Sequence, residues 1–140
     1  MAYINQDMKK KLAPGIREVL KKYGVSGTIS INDHRTLTVT LKKGRLDIIG
    51  DANKNARPDW TGLAPRKIEN HFDVNVFYIK DNFDGEVRDF LLELHRAMNA
   101  SKDESVINWD NSDIQTDYFD IGWHTSIKVG TYTKPYIYHE

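Results

Sequence analysis

The sequence predicts an α+β protein in which two main helices pack on an antiparallel or mixed sheet of about five to six strands. Three observations carry this expectation. Apolar residues recur at spacings of three and four in two long segments. Short β-branched runs with period-two alternation lie between and after them. Turn-forming residues separate the runs at short intervals. The expected order is α-β-β-β-loop-β-α-β-β, and 140 residues is the size of one domain spanning 1–140.

The first helix is read from Met8, Leu12, Ile16, Val19, Leu20 and Tyr23, which make one stripe. Pro14 lies inside it and predicts a break, a kink or a fresh start. Gly24 suits a left-handed C-cap, and Lys21 and Lys22 favour the last-turn dipole. Thr28 to Ile31 and Thr36 to Leu41 follow as strands, joined by a turn at Asn32-Asp33-His34-Arg35. Lys42-Lys43-Gly44-Arg45 reads as a second turn, leading to a third short strand from Leu46 to Ile49.

Residues 50–70 are punctuated by Gly50, Pro58, Gly62 and Pro65 and read as a long basic loop. Trp60, at its middle, either anchors the loop to the core or serves as a contact residue. Val74 to Ile79 is the next strand. Asp84 to Met98 is the second helix, with Val87, Phe90, Leu91, Leu94 and Met98 as its buried stripe and Asp81 or Asn82 as its cap. Residues 99–117 form a polar connection. Two strands, Asp117 to Val129 and Lys134 to Tyr138, end the order.

Charge is sorted along the chain although it sums to zero. Residues 1–45 carry ten Lys/Arg against three Asp/Glu, and residues 81–140 carry five against twelve. Folding either interleaves the two ends or leaves a basic and an acidic face suited to macromolecular partners. The same complementarity permits a homo-oligomer, head-to-tail or two-fold. With no cysteine, the chain excludes disulfides, thiol catalysis and thiolate zinc sites. No apolar run approaches the ~20 residues of a membrane span. The opening residues Met1 to Asp7 lack a signal-peptide layout, and a cytoplasmic location is expected.

No motif names a reaction. There is no Gly-rich phosphate loop and no nucleophile elbow. From Asp103 to Ile127 the chain holds six carboxylates and no Lys or Arg. This stretch reads as a solvated acidic loop, as a protein-contact or nucleic-acid-mimicking surface, or as a cation site. Asp110-Asn111-Ser112-Asp113 lacks the pattern of a calcium loop, so neither metal nor cofactor is expected. Asp110, Asp113, Asp117 and Asp120, with Trp60, are the candidate partner-binding residues.

Lys9, Lys10 and Lys11 on the first helix and Lys42, Lys43 and Arg45 on the hairpin are the alternative, a nucleic-acid surface. The order helix, three strands, helix has the plan of a double-stranded-RNA-binding domain. The second helix, however, begins with Asp84, Glu86 and Asp89 where lysines are needed. A third reading is a small-ligand or catalytic site at Trp123 and His124. Asp120 lies about 13 Å from His124 along an extended strand, too far to orient the imidazole. The aromatic group Tyr118, Phe119, Trp123, Tyr132, Tyr136 and Tyr138 reads first as core and second as a recognition surface.

Three stretches taken together resemble a known group. They are Met8-Lys9-Lys10-Lys11-Leu12-Ala13-Pro14-Gly15-Ile16 with Leu20-Lys21-Lys22-Tyr23-Gly24, Asp117-Tyr118-Phe119-Asp120-Ile121-Gly122-Trp123, and Lys134-Pro135-Tyr136. The sequence resembles the small phage and mobile-element proteins grouped as large polyvalent protein-associated domain 29, over nearly the whole chain. The resemblance implies no catalytic residues. It implies a phage accessory protein made in the bacterial host cytoplasm, acting on a host or defence-system protein. The expected function is therefore non-enzymatic binding.

Overall fold

The computed structural model describes residues 3–55, 71–76, 78–109 and 122–138. Among them the chain is α+β, with a mixed five-stranded sheet and four helices. Helix α1 spans Gln6–Tyr23, and strands β1 (Val25–Asn32) and β2 (Thr36–Gly44) form the hairpin. Helix α2 (Ile48–Asn55), strand β3 (Phe72–Val74) and helix α3 (Ile79–Asn82) follow. Helix α4 (Gly85–Asn99) and strands β4 (His124–Val129) and β5 (Ile137–Tyr138) complete the order.

The sheet runs β1-β2-β4-β3. The pairs β1/β2 and β3/β4 are antiparallel, while β2/β4 is parallel, with Thr36 opposite His124 and Leu41 opposite Val129. The short β5 adds to the far end of β2 at Lys43 and Gly44. Alternation puts Leu37, Val39 and Leu41 of β2, with Ile127 and Val129 of β4, on the face that α1 and α4 cover. Leu12 and Ile16 of α1 and Phe90, Leu91, Leu94 and Met98 of α4 are fully buried against it. Tyr23 meets Phe90 edge-on at 5.3 Å, and its hydroxyl hydrogen-bonds Glu93. That bond, with burial, pushes the Tyr23 hydroxyl up to about 12.

Several sequence expectations are corrected. Pro14 does not break α1, because it is exposed and the carbonyl it leaves without a donor, on Lys10, lies on the solvent side. Leu46 to Ile49 is not a strand. Asp47 caps α2 there, its Oδ1 accepting the Gly50 N–H at 3.0 Å. Lys42 to Gly44 is not a turn but the end of β2. Ser26 pairs with Lys43 and Gly27 with Leu41, so Lys42 is the extra residue of a bulge.

The strand expected from Val74 to Ile79 ends at Val74. Asn75 opens a turn, its carbonyl accepting the Tyr78 N–H at 3.0 Å, and α3 begins at Ile79. Asp81 and Asn82 therefore sit inside α3, and the cap position of α4 belongs to Asp84. Its carboxylate does not cap the helix, being held by Lys54 at 3.0 Å. Of the strand expected from Asp117 to Val129, residues 117–121 lie outside the described residues and β4 covers His124–Val129, while β5 is shorter than the expected Lys134 to Tyr138. Among the described residues the order is thus α-β-β-α-β-α-α-β-β, with α1 and α4 the two long helices.

Candidate binding surface

Past the end of α4 the chain reverses on itself. Ser101 N–H donates to Val106 O at 2.8 Å, Asn108 N–H donates to Asn99 O at 2.7 Å, and Ala100 and Ile107 form an antiparallel bridge. Asp103 fastens the turn. Its Oδ1 accepts the Ser105 hydroxyl at 2.7 Å, the Ser105 N–H at 3.0 Å and the Ser101 hydroxyl at 2.7 Å. Those donors stabilise the carboxylate and hold its pKa at about 2.

Asn108 then does the work of a missing strand. Its side-chain Nδ2 donates to Trp123 O at 2.9 Å and its Oδ1 accepts the Trp123 N–H at 3.0 Å, so one amide satisfies both backbone groups of a buried residue. Its Nδ2 also donates to Asn99 Oδ1 at 2.8 Å. Beside it, Gly122 N–H donates to Trp109 O at 2.9 Å and Tyr3 N–H donates to Gly122 O at 2.8 Å. A Cβ on Gly122 would lie 2.5 Å from Asn108 Oδ1 and 2.9 Å from the Trp109 ring, so the close approach requires glycine.

The result is a fixed stem with large apolar side chains facing solvent. Tyr3 is 55% exposed, Ile107 53% and Trp109 49%. Tyr3 and Trp109 flank Gly122, and Ile107 stands two residues before Trp109. The chain leaves this stem at Trp109 and returns at Gly122. Asp110, Asp113, Asp117 and Asp120 belong to the intervening residues 110–121 and lie outside the described residues, as does Trp60. Of the acidic stretch, exposed Asp103 and Glu104 are described close by.

The basic candidates do not gather into one patch. Lys9, Lys10 and Lys11 are near the start of α1, where Ile4 N–H reaches His34 O. Lys42, Lys43 and Arg45 are at its other end, Arg45 N–H donating to Gly24 O at 3.3 Å. At about 1.5 Å per residue, Lys10 and Gly24 are separated by roughly 20 Å. Arg45 is also committed, its guanidinium donating to both Glu86 oxygens at 3.3 and 3.1 Å. Lys42 and Lys43 are exposed, because the bulge turns both outward.

The two ends of the chain do interleave in part. Lys22 pairs with Glu93 at 2.8 Å, Arg45 with Glu86 and Lys102 with Glu18. Lys9, Lys10, Arg17, Lys21, Lys42 and Lys43 form no ion pair among the described residues.

Nor are the side chains of Trp123 and His124 brought onto one surface. Trp123 is 1% exposed and its indole N–H donates to Met98 O at 3.1 Å. His124 is exposed, its backbone N–H donating to Arg35 O at 2.8 Å. Of the aromatic group, Trp123 and Tyr136 are core, whereas Tyr132 and Tyr138 are exposed. Among the described residues no group of three or more His, Asp or Glu could hold a metal ion, and no helix is long and apolar enough to cross a membrane.

Sequence reasoning missed Tyr3, Ile107, Asn108 and Trp109. One signal was present: Ile107-Asn108-Trp109 interrupts an otherwise polar, acidic stretch with two large apolar residues. No protein-family model, curated protein or solved structure matches the chain.

Proposed function

We propose that the chain is a non-enzymatic accessory protein that works by binding another protein through the Tyr3, Ile107 and Trp109 surface and the acidic residues beside it. One observation carries this reading: Tyr3 and Trp109 are half exposed while the backbone of each hydrogen-bonds Gly122, one on either side. Aromatic side chains held ready on a rigid backbone are what an interface hot spot needs, since little ordering entropy remains to be lost on docking. A standard interface takes about 800 Å² per partner, which is a small share of the 9294 Å² this chain exposes. Exposed Asp103 and Glu104, on the turn that Ile107 closes, favour a partner whose contact surface is basic around an apolar pocket.

The resemblance to phage proteins supports a host or defence-system protein in the bacterial cytoplasm as that partner. The test is affinity capture from bacterial lysate treated with nuclease, using the native chain, Tyr3→Ala with Trp109→Ala, and Asp110→Asn with Asp113→Asn. One dominant protein held by the native chain and lost at least tenfold with the aromatic pair is the expected result. A partner retained equally by both variants, or only nucleic acid recovered before nuclease, refutes the reading.

A further inference from the structure

The two edges of the sheet are treated differently. At one, β3 is three residues long. At the other, β1 runs eight residues from Val25 to Asn32, and no described strand pairs with its outer side. Natural edge strands are protected by charged side chains, proline, bulges or shortness. Strand β1 has no charged residue and no proline. The one irregularity in its pairing, the bulge opposite Ser26 and Gly27, lies in β2. Alternate residues of such a strand aim their N–H and C=O groups outward, so the edge offers a row of donors and acceptors.

Above this edge lies a mainly basic helix flank. Helix α1 packs over β1, and α4 packs over β4 and alongside α1. At 100° per residue, Glu18 and Lys22, which pair with Lys102 and Glu93, look toward α4. Lys10, Arg17 and Lys21 fall on the opposite flank, the one overhanging the outer edge of β1. All three are exposed and form no ion pair among the described residues, whereas on the α4 side Lys22 and Lys102 are bridged and Lys11 lies near the Asp103 carboxylate. A concavity of about 270 Å³ runs along this flank, lined by Lys9, Lys10, Ala13 and Arg17 with Gln6 and Asp7.

We propose that the outer edge of β1 takes up an extended acidic segment of a partner protein as an added strand, with Lys10, Arg17 and Lys21 facing its carboxylates. Main-chain bonds to the edge supply affinity and the cations select the occupant. A second copy fits less well. An isologous antiparallel β1–β1 pairing keeps both α1 helices on one face and sets their basic flanks against each other. This surface differs from the Tyr3–Trp109 stem and has the opposite charge, so it stands independently of that reading.

The probe is a fluorescein-labelled eight-residue peptide alternating Glu and Val, compared with the same peptide N-methylated at every residue, so that neither edge can pair. Hydrogen exchange of residues 25–32 is followed with and without peptide, alongside fluorescence anisotropy. The expected result is slowed exchange at alternate β1 amides, with affinity lowered at least tenfold by N-methylation and by Lys10→Glu with Arg17→Glu. Equal binding of the N-methylated peptide means adsorption by charge alone and overturns the proposal. So does unslowed exchange at millimolar peptide. An oligonucleotide that displaces the peptide assigns the flank to nucleic acid, and a free protein that sediments as a dimer with β1 already protected assigns the edge to a second copy. Either result overturns the proposal.

Discussion

Replacing Asn108 with alanine removes one side chain and unpairs two ends of a buried residue. In the folded protein its amide makes four hydrogen bonds, two of them to the backbone N–H and C=O of Trp123. Trp123 is 1% exposed. Each group left buried without a partner costs about 1–3 kcal/mol. Asn108 itself is only partly buried, so water reaches part of the site and the lower half of that range applies, giving about 3 kcal/mol in total. At this chain length that lowers Tm by roughly ten degrees. Urea denaturation followed by tryptophan fluorescence measures the loss, and amide exchange at Trp123 should accelerate selectively. Asn108→Asp keeps the acceptor for the two N–H groups but sets a carboxylate against Trp123 O and Asn99 Oδ1, so it should not rescue. A loss below about 1 kcal/mol with unchanged exchange at Trp123 would show that the clamp contributes no more than solvent does.

Three further outcomes follow from named contacts. Gly24 adopts φ 68° at the end of α1 with the Arg45 side chain 3.0 Å from where a Cβ would sit, so Gly24→Ala should cost about 1–2 kcal/mol in urea denaturation. Tyr136→Phe leaves Leu46 O without the hydroxyl that donates to it at 2.8 Å and should cost about 1–2 kcal/mol. Burial, with the Asp47 carboxylate nearby, pushes the Tyr136 hydroxyl up to about 12 from its ordinary 10.0. Its contribution is therefore whole below 10.0 and disappears as pH rises toward 12, a dependence the Phe variant should lack. Burial lowers the His95 imidazole from its ordinary 6.5, while Nε2 lies 3.1 Å from Thr125 Oγ1. The unfolded chain then binds the proton first, so stability that is whole above 6.5 falls as pH drops through the folded value. Denaturation midpoints between neutral and mildly acidic pH should lose that slope in His95→Gln.

The two long helices and the first hairpin were legible because each carries its own periodicity. Leu12, Ile16 and Leu20, and Phe90, Leu91 and Leu94, are spaced by the helix itself and are buried as that spacing requires. Helix α2 was not legible in the same way. Leu46, Ile48 and Ile49 form too short an apolar run for periodicity to decide, and the deciding signal was the Asp47 cap. The bulge at Lys42 was hidden for a related reason, since two consecutive lysines after a clean alternation look like a turn.

The candidate surface was less legible than the fold. Trp109 and Trp123 are both tryptophans in an acidic, polar stretch. One lies in the core and the other reaches solvent, and only the register set by Asn108 separates them. Charge sorting was visible in the sequence. Which cations find partners was not, because Lys21 and Lys22 are neighbours in the chain but lie on opposite flanks of α1.

The parallel pairing of β2 with β4 also fixes the order in which the molecule can be built. Helix α1 and the β1–β2 hairpin involve only near neighbours in sequence and can form early. Strand β2 cannot complete its second side until His124–Val129 has been synthesised and carried back past α4. Until then Leu37, Val39 and Leu41 border an open edge, and closing that long loop is the entropic bottleneck of folding. A nascent chain halted before His124 is therefore a sticky half-sheet, the species on which a chaperone or a protease would act.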